Sequence, residues 1–87
     1  MSQWRLEVSR DFEHQLRRLD KPIRQRVVRY LDEILSLEDP RQRGKGLTAN
    51  RSGYWRYRVG DYRLLAEIRD NELVIIAVEL GHRSEIY

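Results

Sequence analysis

Three arginines, Arg56, Arg58 and Arg63, are spaced so that a β-hairpin would bring them together. The surrounding residues 54–68 are rich in strand-forming types, and Gly60-Asp61 suits a two-residue type II′ turn because its glycine comes first. In that register Arg58 faces Arg63, and strand alternation places all three arginines on one face. The aromatic and aliphatic side chains of the hairpin fall on the other face, which is therefore the predicted core face.

This group of like charges points to an anion as its partner. Like charges directly opposite one another destabilise a strand pair, and guanidinium groups keep their protons at neutral pH. Relief of that repulsion predicts that Arg63→Ala leaves stability unchanged or raises it. Planar guanidinium donors match the geometry of phosphate. A solvated strand face explains any single arginine, but three arginines with two opposed favour a site for an anion.

A basic loop precedes the hairpin. Residues 40–53 show no clear period, and they contain three glycines together with four cationic residues: Arg41, Arg43, Lys45 and Arg51. Loops longer than about a dozen residues are often functional in compact domains. This loop could approach a backbone of phosphates, and a mobile connection with scattered charge explains it equally well. The chain as a whole carries a net charge of +3, which suggests an acidic partner, either nucleic acid or protein.

Periodicity elsewhere predicts the elements that hold the hairpin in place. Residues 3–8 alternate as a first strand, Ser9 offers an N-cap to a short amphipathic helix, and Pro22 starts a longer one. Residues 73–78 are almost continuously apolar, which predicts a central strand covered on both faces. The order β-α-α-β-β-β predicts an α+β fold in a single domain over residues 1–87, with two N-terminal helices packed on a small, mainly antiparallel four-stranded sheet.

Composition excludes several classes of protein. The chain has no cysteine, so disulfides and zinc–thiolate sites are excluded. No apolar stretch is long enough to span a membrane, and the N-terminus lacks a signal-peptide pattern. We therefore expect a cytoplasmic protein without a membrane partner. No group of Asp, Glu and His has the spacing of a metal site, so we expect no metal and no cofactor.

Several stretches of the chain resemble the RelE/ParE superfamily of bacterial and archaeal toxins. They are LDKP at 19–22, DPR at 39–41, GKGL at 44–47 and, most specifically, WRYRVGDYR at 55–63 and GHRSEIY at 81–87. The resemblance to the RelE branch implies a toxin of a type II toxin–antitoxin system, a metal-independent endoribonuclease that cuts mRNA in the ribosomal A site. It also implies a cognate RelB-like antitoxin and the ribosome as partners, and operator DNA as a partner of the toxin–antitoxin complex.

Carried over by position, the resemblance implies catalytic roles for five residues: Arg56, Arg58, Arg63, Arg83 and Tyr87. The residues expected to bind the RNA substrate are Lys45, Arg51 and His82. The pair at 56 and 58 consists of arginines where the best-known member has lysines. Since arginine holds its proton far above neutral pH, this departure argues against proton transfer by the pair.

The implied chemistry uses a nucleophile that RNA itself carries. The 2′-OH attacks the adjacent phosphorus and the 5′-oxygen leaves, with a 2′,3′-cyclic phosphate as the expected product. The enzyme must align the attack, stabilise the developing charge and move two protons. The arginines meet the second need, while Tyr87 either acts as the base or stacks on a nucleobase. His82 is the other candidate proton carrier, and Lys45 is a third.

Two functions of other classes compete with the nuclease. A ParE-type toxin shares the fold but binds and poisons DNA gyrase without cutting RNA. The combination of Arg63, Arg83 and Tyr87 favours the nuclease, because a gyrase binder does not need phosphate-facing arginines together with a tyrosine. A basic nucleic-acid-binding regulator would need a recognisable reading element such as a helix-turn-helix, and the sequence shows none.

Overall fold

The computed structural model describes residues 3–47 and 53–84. In chain order the elements are β1 (Arg5–Val8), α1 (Arg10–Arg17), α2 (Lys21–Ser36), a 3₁₀ turn (Pro40–Gln42), β2 (Lys45–Gly46), β3 (Tyr54–Val59), β4 (Tyr62–Arg69) and β5 (Val74–His82). No helix in the described ranges is both long enough and apolar enough to cross a membrane.

The strands of these ranges form one sheet in the order β1-β5-β4-β3-β2. β1 runs parallel to β5, and the remaining neighbours are antiparallel. The predicted α+β class, with two helices on a mainly antiparallel sheet, is confirmed. The sheet has five strands where four were predicted, because β2 is only two residues long and too short to show a period in the sequence.

Both helices pack on one face of the sheet and form the core there. Their fully buried contributions are Phe12, Val27 and Ile34, and the sheet adds Tyr57, Leu64, Ala66, Ile75 and Ala77. In the hairpin, Tyr57, Leu64 and Ala66 alternate with the residues of the other face as the sequence predicts. The opposite face of the sheet therefore carries the residues between them, and this is the face on which the hairpin arginines were expected.

The hairpin register agrees with the prediction residue by residue. Val59 pairs with Tyr62, and Arg58 pairs with Arg63. Gly60 has a φ of +59°, and among the described residues Leu73 is the only one other than glycine with positive φ. A positive φ at the first central position alone is what a type II′ turn requires.

The last strand is longer than predicted and contains a bulge. β5 runs from Val74 to His82 rather than over residues 73–78, so His82 is the last residue of the strand. Ala66 pairs with Ala77 while Leu65 pairs with Glu79, which leaves Val78 as an extra residue. The bulge turns Glu79 away from the core and keeps the buried side chain of Leu80 on the core face.

Candidate functional site

The face of the sheet turned away from the helices carries a cluster of cations, which we call the arginine face: Lys45, Arg56, Arg58 and Arg63. Lys45 lies directly opposite Arg56 across β2 and β3. Arg58 lies directly opposite Arg63 across β3 and β4. The two pairs are neighbours because Arg56 and Arg58 stand two residues apart on the same strand. The structure thus brings together three of the predicted catalytic arginines and one predicted substrate-binding residue.

Arg63 is buried at the base of this face, with 8% of its surface exposed. Its Nη1 donates hydrogen bonds to the backbone oxygens of Gly60 at 3.2 Å and Tyr62 at 3.1 Å. The guanidinium group is therefore held against the hairpin turn by that turn's own carbonyls. A donor fixed in this way is preorganised for an anion and does not swing freely in solvent.

Arg58 differs from its cross-strand neighbour. Its side chain is exposed, and no hydrogen bond or ion pair joins it to the part of the chain that the structure describes. It stands beside the buried guanidinium group of Arg63 and is repelled by it. An anion bound between the two would relieve this repulsion, which makes the pair the centre of the candidate anion site.

Arg83 lies at the end of the sheet, beside the hairpin turn. Its backbone N–H donates to the Asp61 oxygen at 2.7 Å, and its Nη1 lies 4.0 Å from the Asp61 carboxylate. This contact places Arg83 next to the same turn that Arg63 contacts. The side chain is largely exposed, so the ion pair with Asp61 leaves it accessible to an anion.

His82 is not brought together with the arginines. It pairs with Tyr62, whose side chain is on the core face, so the imidazole ring lies on the helix side of the sheet. The two rings meet edge to face with centroids 5.6 Å apart. The His82 Nδ1 lies 3.0 Å from Ser84 Oγ and accepts the Ser84 backbone N–H at 3.3 Å. Proton transfer by His82 on the arginine face does not fit this orientation.

Two of the predicted site residues, Arg51 and Tyr87, lie outside the described residues. The predicted role of Tyr87 as a base or a stacking residue, and that of Arg51 in substrate binding, stay predictions.

Lys45 is positioned by a close approach of the chain at Gly44. Gly44 has a φ of +83°, and a Cβ added there would lie 2.6 Å from both the Arg56 backbone oxygen and the Trp55 Nε1. Trp55 Nε1 also donates to the Arg43 oxygen at 2.6 Å. The missing side chain at Gly44 lets β2 pair with β3, and this pairing sets Lys45 opposite Arg56.

The loop before β2 is tied down at two further points. Tyr57, buried in the core, donates its hydroxyl hydrogen to the Pro40 oxygen at 2.6 Å, and burial raises the pKa of this tyrosine. Arg41 makes two hydrogen bonds with the Asp70 carboxylate, at 2.9 and 2.8 Å, which lower the pKa of Asp70. Arg41 is thereby committed to a structural ion pair, away from the arginine face.

Sequence reasoning missed two residues that share this face, Tyr54 and Glu79. Tyr54 has the same strand parity as Arg56 and Arg58, and 37% of its surface is exposed. Strand alternation alone predicts that Tyr54, two positions before Arg56, shares its face. Glu79 pairs with Leu65 on this face because of the bulge. The signal available in the sequence was Glu79, a charged residue that stands between the apolar run 73–78 and Leu80.

The chain is similar to known toxins over nearly its whole length. The family model described as ParE toxin of type II toxin-antitoxin system, parDE, matches residues 6–87. None of the curated proteins matches the chain in sequence. The structure of the RelBE2 toxin–antitoxin complex from Mycobacterium tuberculosis is similar with a TM-score of 0.85 and 25% identity, covering 97% of this chain and 95% of that chain.

Two further toxin structures share the fold at lower identity. A double mutant of the E. coli toxin RelE in the free state has a TM-score of 0.78 and 20% identity, covering 99% of this chain and 88% of that chain. The archaeal RelE–RelB complex from Pyrococcus horikoshii has a TM-score of 0.75 and 23% identity, covering 95% of this chain and 97% of that chain. At these identities the likeness concerns the fold.

Proposed function

Because the chain belongs to the ParE toxin family of type II toxin–antitoxin systems, within the RelE/ParE superfamily, we propose that it halts translation by cutting mRNA in the ribosomal A site. The observation that carries this proposal is the cross-strand pairing of Arg58 with Arg63 beside that of Lys45 with Arg56. Four cations on one sheet face suit the phosphates of an RNA strand better than any neutral ligand.

The proposed reaction is an intramolecular phosphoryl transfer. The 2′-oxygen bonds to the adjacent phosphorus, the bond from phosphorus to the 5′-oxygen breaks, and the products end in a 2′,3′-cyclic phosphate and a 5′-hydroxyl. Arg63, held by its turn, and Arg58 beside it donate hydrogen bonds to the phosphoryl oxygens as negative charge develops there. Arg83 adds positive charge from the end of the sheet.

Proton transfer needs groups other than these arginines. The 2′-hydroxyl must lose a proton and the departing 5′-oxygen must gain one. Tyr87 is our proposed base, because the positive charge of the arginine face would favour its ionised form. Tyr87→Phe is expected to lower the cleavage rate strongly with little change in RNA affinity. Equal rates for the parent protein and this variant would remove the base role.

The proposed partner in the resting cell is a cognate RelB-like antitoxin. The similar structures from M. tuberculosis and P. horikoshii are toxin–antitoxin complexes. An antitoxin segment with acidic side chains would neutralise the arginine face by covering Arg56, Arg58 and Arg63. The toxin–antitoxin complex is the proposed form that binds operator DNA.

The test of the nuclease is primer extension on translated mRNA after brief expression. The parent protein is expected to produce discrete cuts within codons. Arg58→Gln should reduce cutting by about a hundredfold, the typical loss when one donor to a developing oxyanion is removed. Arg58 is the better probe than Arg63, because its side chain makes no hydrogen bond or ion pair with the described residues that the substitution would break.

Arg5→Gln is the matched control, since Arg5 lies on the same sheet face but in the strand at the opposite edge. It removes the same charge and should leave cutting close to that of the parent. Full cleavage by a folded Arg58→Gln protein, or equal losses in both variants, would refute the role of the arginine face.

A second candidate function is inhibition of DNA gyrase without RNA cleavage. It is favoured by one observation, the match of residues 6–87 to the model of ParE toxins. The cultures used for primer extension also distinguish the nuclease from the gyrase inhibitor. Intact mRNA together with broken chromosomal DNA would select gyrase, and cut mRNA with intact DNA would select the nuclease. Purified gyrase supplies the direct measurement, as supercoiling activity with and without the toxin.

A further inference from the structure

A polar pocket lies on the face of the sheet that the helices cover, at β4 and β5. The arginine face is the opposite face of the same sheet. The volume of the pocket is about 290 Å³. The lining consists of Gln15, Arg18, Leu19, Tyr62, Leu80, Gly81 and His82. The pocket thus contains the histidine that the sequence had suggested for the other face, together with an arginine that no part of the proposed cleavage uses.

The polar groups of this pocket are arranged as hydrogen-bond donors. Gln15 Oε1 accepts the Leu80 N–H at 2.7 Å, which assigns the amide orientation and leaves the Nε2 end as the donor. His82 Nδ1 is engaged by Ser84, through its backbone N–H at 3.3 Å and its Oγ at 3.0 Å, which leaves Nε2 as the ring nitrogen available to a ligand. Arg18 contributes a guanidinium group, and no carboxylate is among the lining residues. A guanidinium group, an amide and an imidazole ring in a lining without a carboxylate fit an anion.

The pocket and the arginine face meet at the hairpin turn. Arg26 lies against this turn, since a Cβ added at Gly60 would be 3.0 Å from Arg26 Nη1. Arg63 donates to the Gly60 oxygen, and Arg83 contacts Asp61. Three guanidinium groups therefore surround the turn, against the single carboxylate of Asp61 within it, and the excess positive charge lies between the two faces of the sheet.

We propose that this pocket is a second phosphate site, which holds a backbone phosphate of the same RNA strand near the one bound on the arginine face. The inference rests on the proposed function, because it takes RNA as the ligand. Arg18 and His82 bind the phosphate oxygens, and the strand passes around the hairpin turn between the two sites. Tyr62 forms the wall against which the His82 ring is held edge to face.

Arg18→Gln is the test variant, and Arg17→Gln is its matched control. Both remove one positive charge from the end of α1, but Arg17 is an exposed residue that pairs with Glu13 and does not line the pocket. The probe is a fluorescent single-stranded RNA with 2′-O-methyl groups, which block the nucleophile so that binding is measured without cleavage. Anisotropy gives the affinity of each protein over a range of salt concentrations.

Arg18→Gln is expected to weaken binding about tenfold, the effect of one charge-assisted hydrogen bond. The slope of log affinity against log salt should also fall by about 0.7, as expected for the loss of one phosphate contact with a single strand. Arg17→Gln should change the affinity less than twofold. Equal losses in the two variants would overturn the site, because they would show only the effect of net charge, and so would absence of RNA binding by the parent.

A second measurement uses inorganic phosphate and the NMR signals of the His82 ring. In the parent protein these signals should shift and saturate as phosphate is added, and in Arg18→Gln the shift should be lost. Competition of inorganic phosphate with the RNA that is weaker in Arg18→Gln than in the parent supports one shared site, because phosphate can also displace RNA from the arginine face. Phosphate binding that leaves RNA affinity unchanged would overturn the RNA assignment and leave a site for free phosphate.

Failure of this site and failure of the proposed function give different results. If the parent protein leaves translated mRNA intact while Arg18→Gln still loses RNA affinity relative to Arg17→Gln, the nuclease is refuted and the phosphate site stands. If the parent cuts mRNA while both variants bind RNA equally, the nuclease stands and the site is refuted.

Discussion

Arg63 serves both the turn and the site at the same time. Its guanidinium group supports the hairpin turn through two carbonyl oxygens, and the same group faces the exposed Arg58. Repulsion between the two charges acts against the fold, whereas the hydrogen bonds of the buried Arg63 act for it. A hydrogen bond to a charged group contributes about 1.5–3 kcal/mol, more than a surface repulsion costs.

Arg63→Ala is therefore expected to lower the free energy of unfolding by about 1.5–3 kcal/mol, since it leaves two carbonyl oxygens without their donor. This reverses the expectation from sequence that relief of repulsion would dominate. Arg58→Ala should leave stability unchanged or raise it slightly. Urea unfolding of the two purified variants measures both values. A larger loss in Arg58→Ala than in Arg63→Ala would contradict the assignment.

Tyr57 makes stability depend on alkaline pH. Burial raises its pKa in the folded protein above the unfolded value of about 10. A group with a raised folded pKa contributes its full stability below the unfolded pKa and loses it as the pH rises beyond that value. The melting temperature should accordingly fall above about pH 10.

Tyr57→Phe should show a weaker fall over the same alkaline range. At neutral pH it should also be about 1–2 kcal/mol less stable, because the Pro40 oxygen loses the phenolic donor. Thermal unfolding from pH 7 to pH 11 tests both statements. An unchanged pH profile in the variant would assign the alkaline loss to other groups.

At the scale of elements, Ser9 joins α1 to β5. Its Oγ accepts the Phe12 N–H at 3.0 Å as an N-cap and donates to the Val78 oxygen at 2.6 Å. Val78 is the extra residue of the bulge, so the cap also uses a carbonyl at the irregular point of the strand. One hydroxyl thereby fixes where the first helix begins relative to the sheet.

Ser9→Ala is expected to cost about 1–2 kcal/mol through loss of the cap. Asp20→Ala is the matched control, because Asp20 occupies the same position before α2 but its side chain makes no cap hydrogen bond. Its cost should be well under that of Ser9→Ala. Denaturant unfolding compares the two, and a cost of Ser9→Ala no larger than that of Asp20→Ala would contradict a stabilising role for the Ser9 hydrogen bonds.

The elements also show what the sequence could predict. The hairpin register followed from Gly60 and strict alternation, because the turn length and the pleat leave a single pairing. β2 could not be predicted, since its two residues pair only because Gly44 admits the neighbouring strand. The face occupied by His82 depends on its pairing with Tyr62 of β4, and the burial of Arg63 depends on the carbonyl oxygens at the turn. Neither feature appears as a pattern in the sequence.

At the scale of the whole molecule, the domain is small and its core lies on one face of the sheet. A chain of 87 residues buries only about 60–65% of its unfolded surface, so its own stability is modest. A partner that binds only the folded state adds stability by mass action. The proposed antitoxin would therefore restrain the toxin and stabilise its fold in one binding step.

The expected gain is about 2.7 kcal/mol when free antitoxin is present at a hundred times its dissociation constant. The melting temperature of the toxin, measured with increasing amounts of the protein encoded beside it, tests this value. Arg56→Gln combined with Arg58→Gln should reduce the gain if acidic side chains cover the arginine face. A toxin whose melting temperature does not respond to that neighbour would refute the proposed partner.

The bulge at Val78 determines which face of the sheet the later side chains of β5 occupy. A strand has a period of two, so one extra residue exchanges the faces of all later side chains unless a bulge accommodates it, as the bulge at Val78 does. Removal of Val78 would straighten the strand and leave Glu79, Leu80 and His82 on their present faces, but it would also remove the carbonyl that accepts the Ser9 hydroxyl hydrogen. A residue inserted between Leu80 and His82 would instead move the imidazole ring from the pocket to the arginine face. Changes of chain length in this strand therefore decide which site receives the histidine.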